Sequence, residues 1–205
     1  MKKKILLSLL LIFSIIFHIF HDAAIFPFPV IKEALAQVSS TEGMVTYGKT
    51  GTKEPAYKIW NGTGFGSEAF ANTTDTGIRW VLLQGIPRLR NEKIMATVAG
   101  GSNVLYVQRW NGTSWSSEWN VNLTTAANRN FSIAYEQISG NALVIYGNHT
   151  AQLKYRKWDG STWTGELNAG TALDGIPVFV QAVGRPAWVN TKVNDIMVMA
   201  TTDAG

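Results

Sequence analysis

A tryptophan followed by Asn-Gly or Asp-Gly occurs three times at a nearly constant interval, and this spacing narrows the possible folds more than any other feature of the chain. The copies are Trp60-Asn61-Gly62-Thr63-Gly64-Phe65, Trp110-Asn111-Gly112-Thr113-Ser114-Trp115 and Trp158-Asp159-Gly160-Ser161-Thr162-Trp163, with leading tryptophans 50 and 48 residues apart. A glutamate stands eight positions after each tryptophan, at Glu68, Glu118 and Glu166. A basic residue (Lys58, Arg109, Lys157) and a tyrosine (Tyr57, Tyr106, Tyr155) precede each one. A period near 50 residues is that of a repeated supersecondary unit whose copies stack to bury a shared core.

Within each period, short alternating runs are separated by turn residues. Phe131 to Tyr135, Ala142 to Tyr146 and Leu153 to Trp158 read as three strands, with a short fourth from Trp163 to about Leu167. The preceding unit shows the same order at Ile78 to Gln84, Lys93 to Val98, Val104 to Trp110 and Trp115 to Val121. No stretch after the leader sustains an apolar period of 3.6 residues, so four antiparallel strands per unit and no helix are predicted. The Asn-Gly and Asp-Gly pairs predict two-residue type I′ hairpin turns, in which both residues take positive φ. The flanking aromatics then face each other across the hairpin. Trp60, Asn61, Gly62, Trp110, Asn111, Gly112, Trp158, Asp159 and Gly160 are accordingly assigned to the scaffold.

The predicted class is all-β: a partial β-propeller of four-stranded antiparallel blades. Repeat units lie at about 41–90, 91–140 and 141–190, with the start of another at 191–205. Gly43 to Gly48, Tyr57 to Trp60 and Phe65 to Phe70 supply the last three strands of a unit lacking its first. Val178 to Val183 and Ile196 to Thr201 supply the first two of a further unit. About three blades' worth of strands falls short of the four to eight that close a ring. The expectation is a truncated chain whose remaining blades belong to a longer protein.

Residues 1–36 read as a secretory signal peptide: Lys2, Lys3 and Lys4, an apolar run from Ile5 to Phe17, and Ala34-Leu35-Ala36 before the predicted cut. That leader holds four of the 18 basic and two of the 14 acidic residues, leaving 14 basic and 12 acidic in residues 37–205. A balance so near neutrality argues against nucleic acid as a partner, and against a membrane once the leader is removed. With no cysteine in an exported chain, packing and strand pairing must supply the stability. The predicted location is secreted, periplasmic or cell-surface.

At the Trp-(Asp/Asn)-Gly-x-x-Trp segments the chain resembles the repeats of bacterial and fungal propeller lectins. In those, a strand of alternating apolar residues leads through a Leu-x-Tyr/His-x-x-Trp strand into the turn. Asn141 to Gly165 follows that scheme, and Asn103 to Ser117 follows it in part. The resemblance implies a propeller and carbohydrate as ligand. Its fucose-binding members place an Arg on the second strand and a Glu on the third. Here those regions read Ala142-Leu143-Val144 and Lys154-Tyr155-Arg156, so that pair is not reproduced. A more distant resemblance is to sialidase-type propellers, whose turn runs Ser-x-Asp-x-Gly-x-x-Trp. In Trp158-Asp159-Gly160-Ser161 the glycine comes one position early.

Three functions are compatible with these residues. The first is a non-catalytic module for glycans or other cell-surface components. Its candidate ligand-binding residues are Phe65, Trp115 and Trp163 as stacking platforms, and Arg109, Lys157, Glu118 and Glu166 as hydrogen-bonding groups. The second is a structural or protein-interaction propeller with no small ligand. The third is a fragment of a sialidase-like exo-glycosidase, although glutamates that recur in every unit do not form the unique carboxylate set such chemistry requires. No catalytic residue, cofactor or metal site is predicted, since His149 is the only histidine after the leader. Of five formal N-glycosylation sequons, those at Asn61 and Asn111 coincide with the turns and are read as turn chemistry.

Overall fold

Alternating apolar residues sort themselves onto the two sides of each strand, and in this chain both sides find a partner. The computed structural model describes residues 43–86, 91–123, 125–185 and 194–204. The predicted leader and cut site lie outside them. Every regular element among the described residues is a strand. β1 (Gly43–Tyr47), β2 (Ala56–Trp60) and β3 (Ala69–Phe70) form a first sheet in the order β1-β2-β3. β4 (Ile78–Gly85), β5 (Lys93–Ala99), β6 (Val104–Trp110) and β7 (Trp115–Asn122) form a second. β8 (Phe131–Tyr135), β9 (Ala142–Gly147), β10 (Leu153–Trp158) and β11 (Leu167–Asn168) form a third. β12 (Pro177–Gly184) and β13 (Ile196–Thr202) pair as a fourth. All pairs are antiparallel, and each sheet is a meander of consecutive strands. The second and third sheets straddle the period boundaries near residues 90 and 140.

The core lies between sheets, in three layers. On β5, Ile94, Ala96 and Val98 point towards β8 and β9 of the third sheet, whereas Met95 joins Trp110 and Trp115 against Tyr57 and Ile59 of the first. On β9 the same phase sends Ala142, Val144 and Tyr146 to the second sheet. Leu143 and Ile145 go to Val180 and Ala182 of the fourth. Period-2 patterning therefore feeds two different seams from one strand. All seven residues of β5 and all five of β8 are buried. Gly184 is placed by close approach: a Cβ there would lie 2.0 Å from the Tyr135 carbonyl oxygen, so only glycine lets β12 lie this near the end of β8.

The fourth strand of the unit departs from expectation. In the second sheet β7 runs continuously over eight residues. In the first and third sheets only a two-residue segment pairs (β3, β11), preceded by isolated bridges Trp60↔Phe65 and Trp158↔Trp163. Gly66 in one case, and Gly165 in the other, fall where β7 has Ser116 and Ser117, and glycine weakens a strand interior. The ladder also shifts register by one residue between Val107 and Gln108, leaving Glu118 as the extra residue of a bulge.

Candidate functional site

The repeated turn differs from the type I′ hairpin that Asn-Gly and Asp-Gly suggest. Gly62, Gly112 and Gly160 take φ of 98°, 105° and 98°, but Asn61, Asn111 and Asp159 do not have positive φ. Each loop is four residues long. It is closed by a backbone bond from the first N–H to the fourth carbonyl: Asn61 to Gly64 at 3.2 Å, Asn111 to Ser114 at 3.1 Å, and Asp159 to Thr162 at 3.2 Å. The side-chain oxygen of the first residue then acts as a hub. Asn111 Oδ1 accepts from Thr113 N (2.9 Å), Ser114 N (2.9 Å) and Thr113 Oγ1 (3.0 Å). Asn61 Oδ1 accepts the equivalent set. Asp159 Oδ1 accepts from Ser161 N, Ser161 Oγ and Thr162 N, and those bonds hold its carboxyl well below the usual carboxylate range. The first position thus demands a short acceptor rather than tolerance of left-handed backbone. The flanking aromatics meet as predicted, at centroid distances of 5.2 Å (Trp60–Phe65), 5.6 Å (Trp110–Trp115) and 5.6 Å (Trp158–Trp163).

Three candidate residues converge at the seam between the second and third sheets. Arg109, on β6, donates from Nε to Glu118 Oε1 at 3.1 Å, and its Nη1 lies 3.6 Å from Glu92 Oε2. Its guanidinium sits 4.6 Å from the ring centroid of Trp158, on the third sheet. Trp158 Nε1–H donates to Glu92 Oε1, and Trp163 Nε1–H to Glu118 Oε2, each at 3.0 Å. Ser116 Oγ donates to Glu118 Oε1 at 2.6 Å. Two carboxylates of one sheet are thereby tied to two indoles of the next, with the arginine compensating both charges.

Beside this clip lies a second group, in which Trp163 and Glu166 of the repeat meet residues that repeat matching does not pick out. Trp119 stands 5.5 Å from Trp163 and 5.8 Å from Tyr146, and the Arg156 guanidinium is 4.8 Å from its ring centroid. Tyr146 OH donates to Glu166 Oε2 at 2.8 Å, and Lys154 Nζ lies 3.9 Å from Glu166 Oε1. Burial first, and then the hydrogen bond to the Glu166 carboxylate, push the Tyr146 phenol above its ordinary range. Trp119, Trp163, Arg156 and Lys154 are all half-buried, so polar and aromatic groups reach solvent together here. The first sheet repeats part of the scheme: Glu68 accepts from Tyr47 OH and, at 2.7 Å, from Lys49 Nζ. Both donors lower its carboxyl, the lysine more.

The other candidate residues lie apart from this seam. Phe65 is 55% exposed beside the first sheet and meets Trp60 edge-on. Trp115 is buried between the first and second sheets, with Tyr57 at 5.9 Å and Trp110 at 5.6 Å. Lys157 pairs with Glu136 at 3.5 Å. Glu92, Trp119, Tyr146 and Arg156 were not singled out by the repeat, because it aligns equivalent positions whereas a seam joins non-equivalent strands of neighbouring units. Their signal was phase: on β9 an even-numbered residue faces the second sheet, which places Tyr146 beside Trp119. Among the described residues no group of three or more His, Cys, Asp or Glu side chains is arranged to hold a metal ion.

No family profile and no curated protein matches the chain. Solved structures do. AofleA from Arthrobotrys oligospora aligns with a TM-score of 0.56 at 9% identity, over 81% of this chain and 48% of its own. Aleuria aurantia lectin, solved as a mutant in complex with Fucα1-6GlcNAc, aligns with a TM-score of 0.50 at 15% identity, over 80% of this chain and 56% of its own. The likeness is one of fold. NanB sialidase from Streptococcus pneumoniae gives a TM-score of 0.45 at 12% identity, over 72% of this chain and 23% of its own. The chain therefore spans about half of each fungal structure and about a quarter of the sialidase.

Proposed function

We propose that this chain is a non-catalytic, glycan-binding portion of an exported β-propeller, its sheets being blades of a ring that further blades complete. The observation carrying the reading is the seam between the second and third sheets. There Trp119 and Trp163 supply aromatic faces, and Arg156, Lys154 and Glu166 supply charged hydrogen-bonding groups within one half-buried patch. Sugars are bound by that combination: an apolar ring face stacks on an aromatic while the hydroxyls meet charged donors and acceptors. Support also comes from the fold shared with two fungal structures, one of them a lectin in complex with a fucosylated disaccharide. Export and a secreted, periplasmic or surface location rest on the leader alone.

The test is a glycan array probed with the full chain, followed by NMR titration of the best binder. Shifts at the Trp119 and Trp163 indoles are expected. A folded protein that binds no glycan would defeat the reading. Two observations favour the structural alternative: both oxygens of Glu118 are taken by protein donors, and Trp115 is buried. Under that alternative, Trp119→Ala would lower stability and change no ligand response.

A further inference from the structure

We propose a second ligand site, for a carboxylated sugar such as a uronic acid, in the cavity bounded by Trp80, Arg129 and Phe179. The cavity is about 470 Å³, within the range of small-molecule sites, and Ala127, Asn128 and Val178 complete its lining. It shares no residue with the seam patch, and the proposal does not rest on that reading.

Three separate elements build it. Trp80 follows a register shift at the start of β4, and Phe179 follows the corresponding shift at the start of β12. A bulge re-aims the side chain beside it, and here two equivalent bulges set an aromatic on either side of one space. Trp80 is pinned by its Nε1–H, which donates to the Ala126 carbonyl at 3.0 Å. Arg129 enters between them on the segment leading into β8. Its carbonyl accepts from Val180 N at 3.1 Å, which fixes the backbone to β12.

The charge balance identifies the ligand. Among the described residues Arg129 meets only neutral groups: Nη2 donates to Gln181 Oε1 at 2.6 Å, and the guanidinium lies 4.6 Å from the Phe179 ring centroid. Arg109 and Arg185 each face a carboxylate of the protein, but Arg129 has none among these partners. Gln181 and Phe179 orient the guanidinium and leave its charge uncompensated. An arginine held so, at the edge of a cavity with an aromatic wall, suits an anion carried on a ring that can pack against that wall. A carboxylated sugar has both parts. A neutral sugar lacks the charge, and a simple carboxylate lacks the face.

The experiment is NMR titration of the full chain, read at the Trp80 indole, with glucuronate, glucose and acetate in turn. Glucuronate should shift Trp80 saturably, with glucose and acetate each at least about tenfold weaker. Arg129→Met should abolish the response, and Arg129→Lys should retain part of it. Three results would each overturn the proposal: no saturable response to glucuronate, equal affinity for glucose or acetate, or shifts confined to Trp119 and Trp163. Should Arg129→Met fail to fold, the salt dependence of the wild-type titration decides instead. Glucuronate affinity falling severalfold between about 50 mM and 500 mM NaCl supports the site, and an unchanged affinity defeats it.

Discussion

A single side-chain oxygen organises each of the three repeated turns, and its chemistry decides which residues the position accepts. Asn111 Oδ1 collects two backbone amides and a hydroxyl, so Asn111→Ala leaves three donors to water and reopens the loop. The expected cost is about 1 kcal/mol, read as a lower denaturant midpoint with an unchanged slope. Asp159 does the same work with a charge. Its folded pKa is depressed, so its contribution is fully present above the unfolded carboxylate range near ~3.9 and is lost as pH falls below it. Protection of the Ser161 and Thr162 amides, taken relative to the intrinsic exchange rate at each pH, should therefore fall on acidification. The equivalent amides at Asn61 and Asn111 should show no such change, and Asp159→Asn should abolish the difference. Composition alone pointed to Asn-Gly and Asp-Gly as a turn, which was correct. It could not reveal the type, because both turn types favour the same residue pair, one for backbone tolerance and the other for a side-chain acceptor.

Between elements, the Arg109 clip and the β8–β12 contact make opposite kinds of demand. Arg109→Met would leave Glu92, which is 6% exposed, and Glu118 without their shared cation. A loss of about 2–3 kcal/mol is expected, below the full penalty for an isolated buried charge because the arginine is partly solvated. Lys49→Met, at the exposed pair with Glu68, should change the thermal midpoint little. At the other contact the demand is for space. Gly184→Ala drives a methyl into the Tyr135 carbonyl and should cost about 1–3 kcal/mol through separation of β12 from β8. Strand positions were legible from alternation, and most observed limits fall within a residue of those expected. Partners across a seam were not, because nothing in a repeat says which face of one unit meets which face of the next. Arg109, Glu118 and Trp163 stood out for their recurrence, yet their meeting depends on two sheets stacked in a particular order.

At the scale of the whole chain, inner and outer faces differ sharply. The second and third sheets are covered on both sides, but the fourth presents Val183, Met197 and Met199 at 52%, 73% and 59% exposure, with Val183 and Met197 directly paired. Contiguous apolar surface of this kind drives association. Met197→Lys combined with Met199→Lys should reduce self-association in sedimentation experiments while leaving the thermal midpoint within about 1 °C, because neither side chain is in a core layer.

Because one strand serves two layers by turns, consecutive residues of β5 answer to different neighbours: Ile94 to the third sheet, Met95 to the first. Adjacent codons are thus released from each other's constraints, while positions some forty residues apart become locked together. A homologue that exchanges bulk at Ile94 would have to compensate near Phe131 or Val144, leaving Met95 untouched.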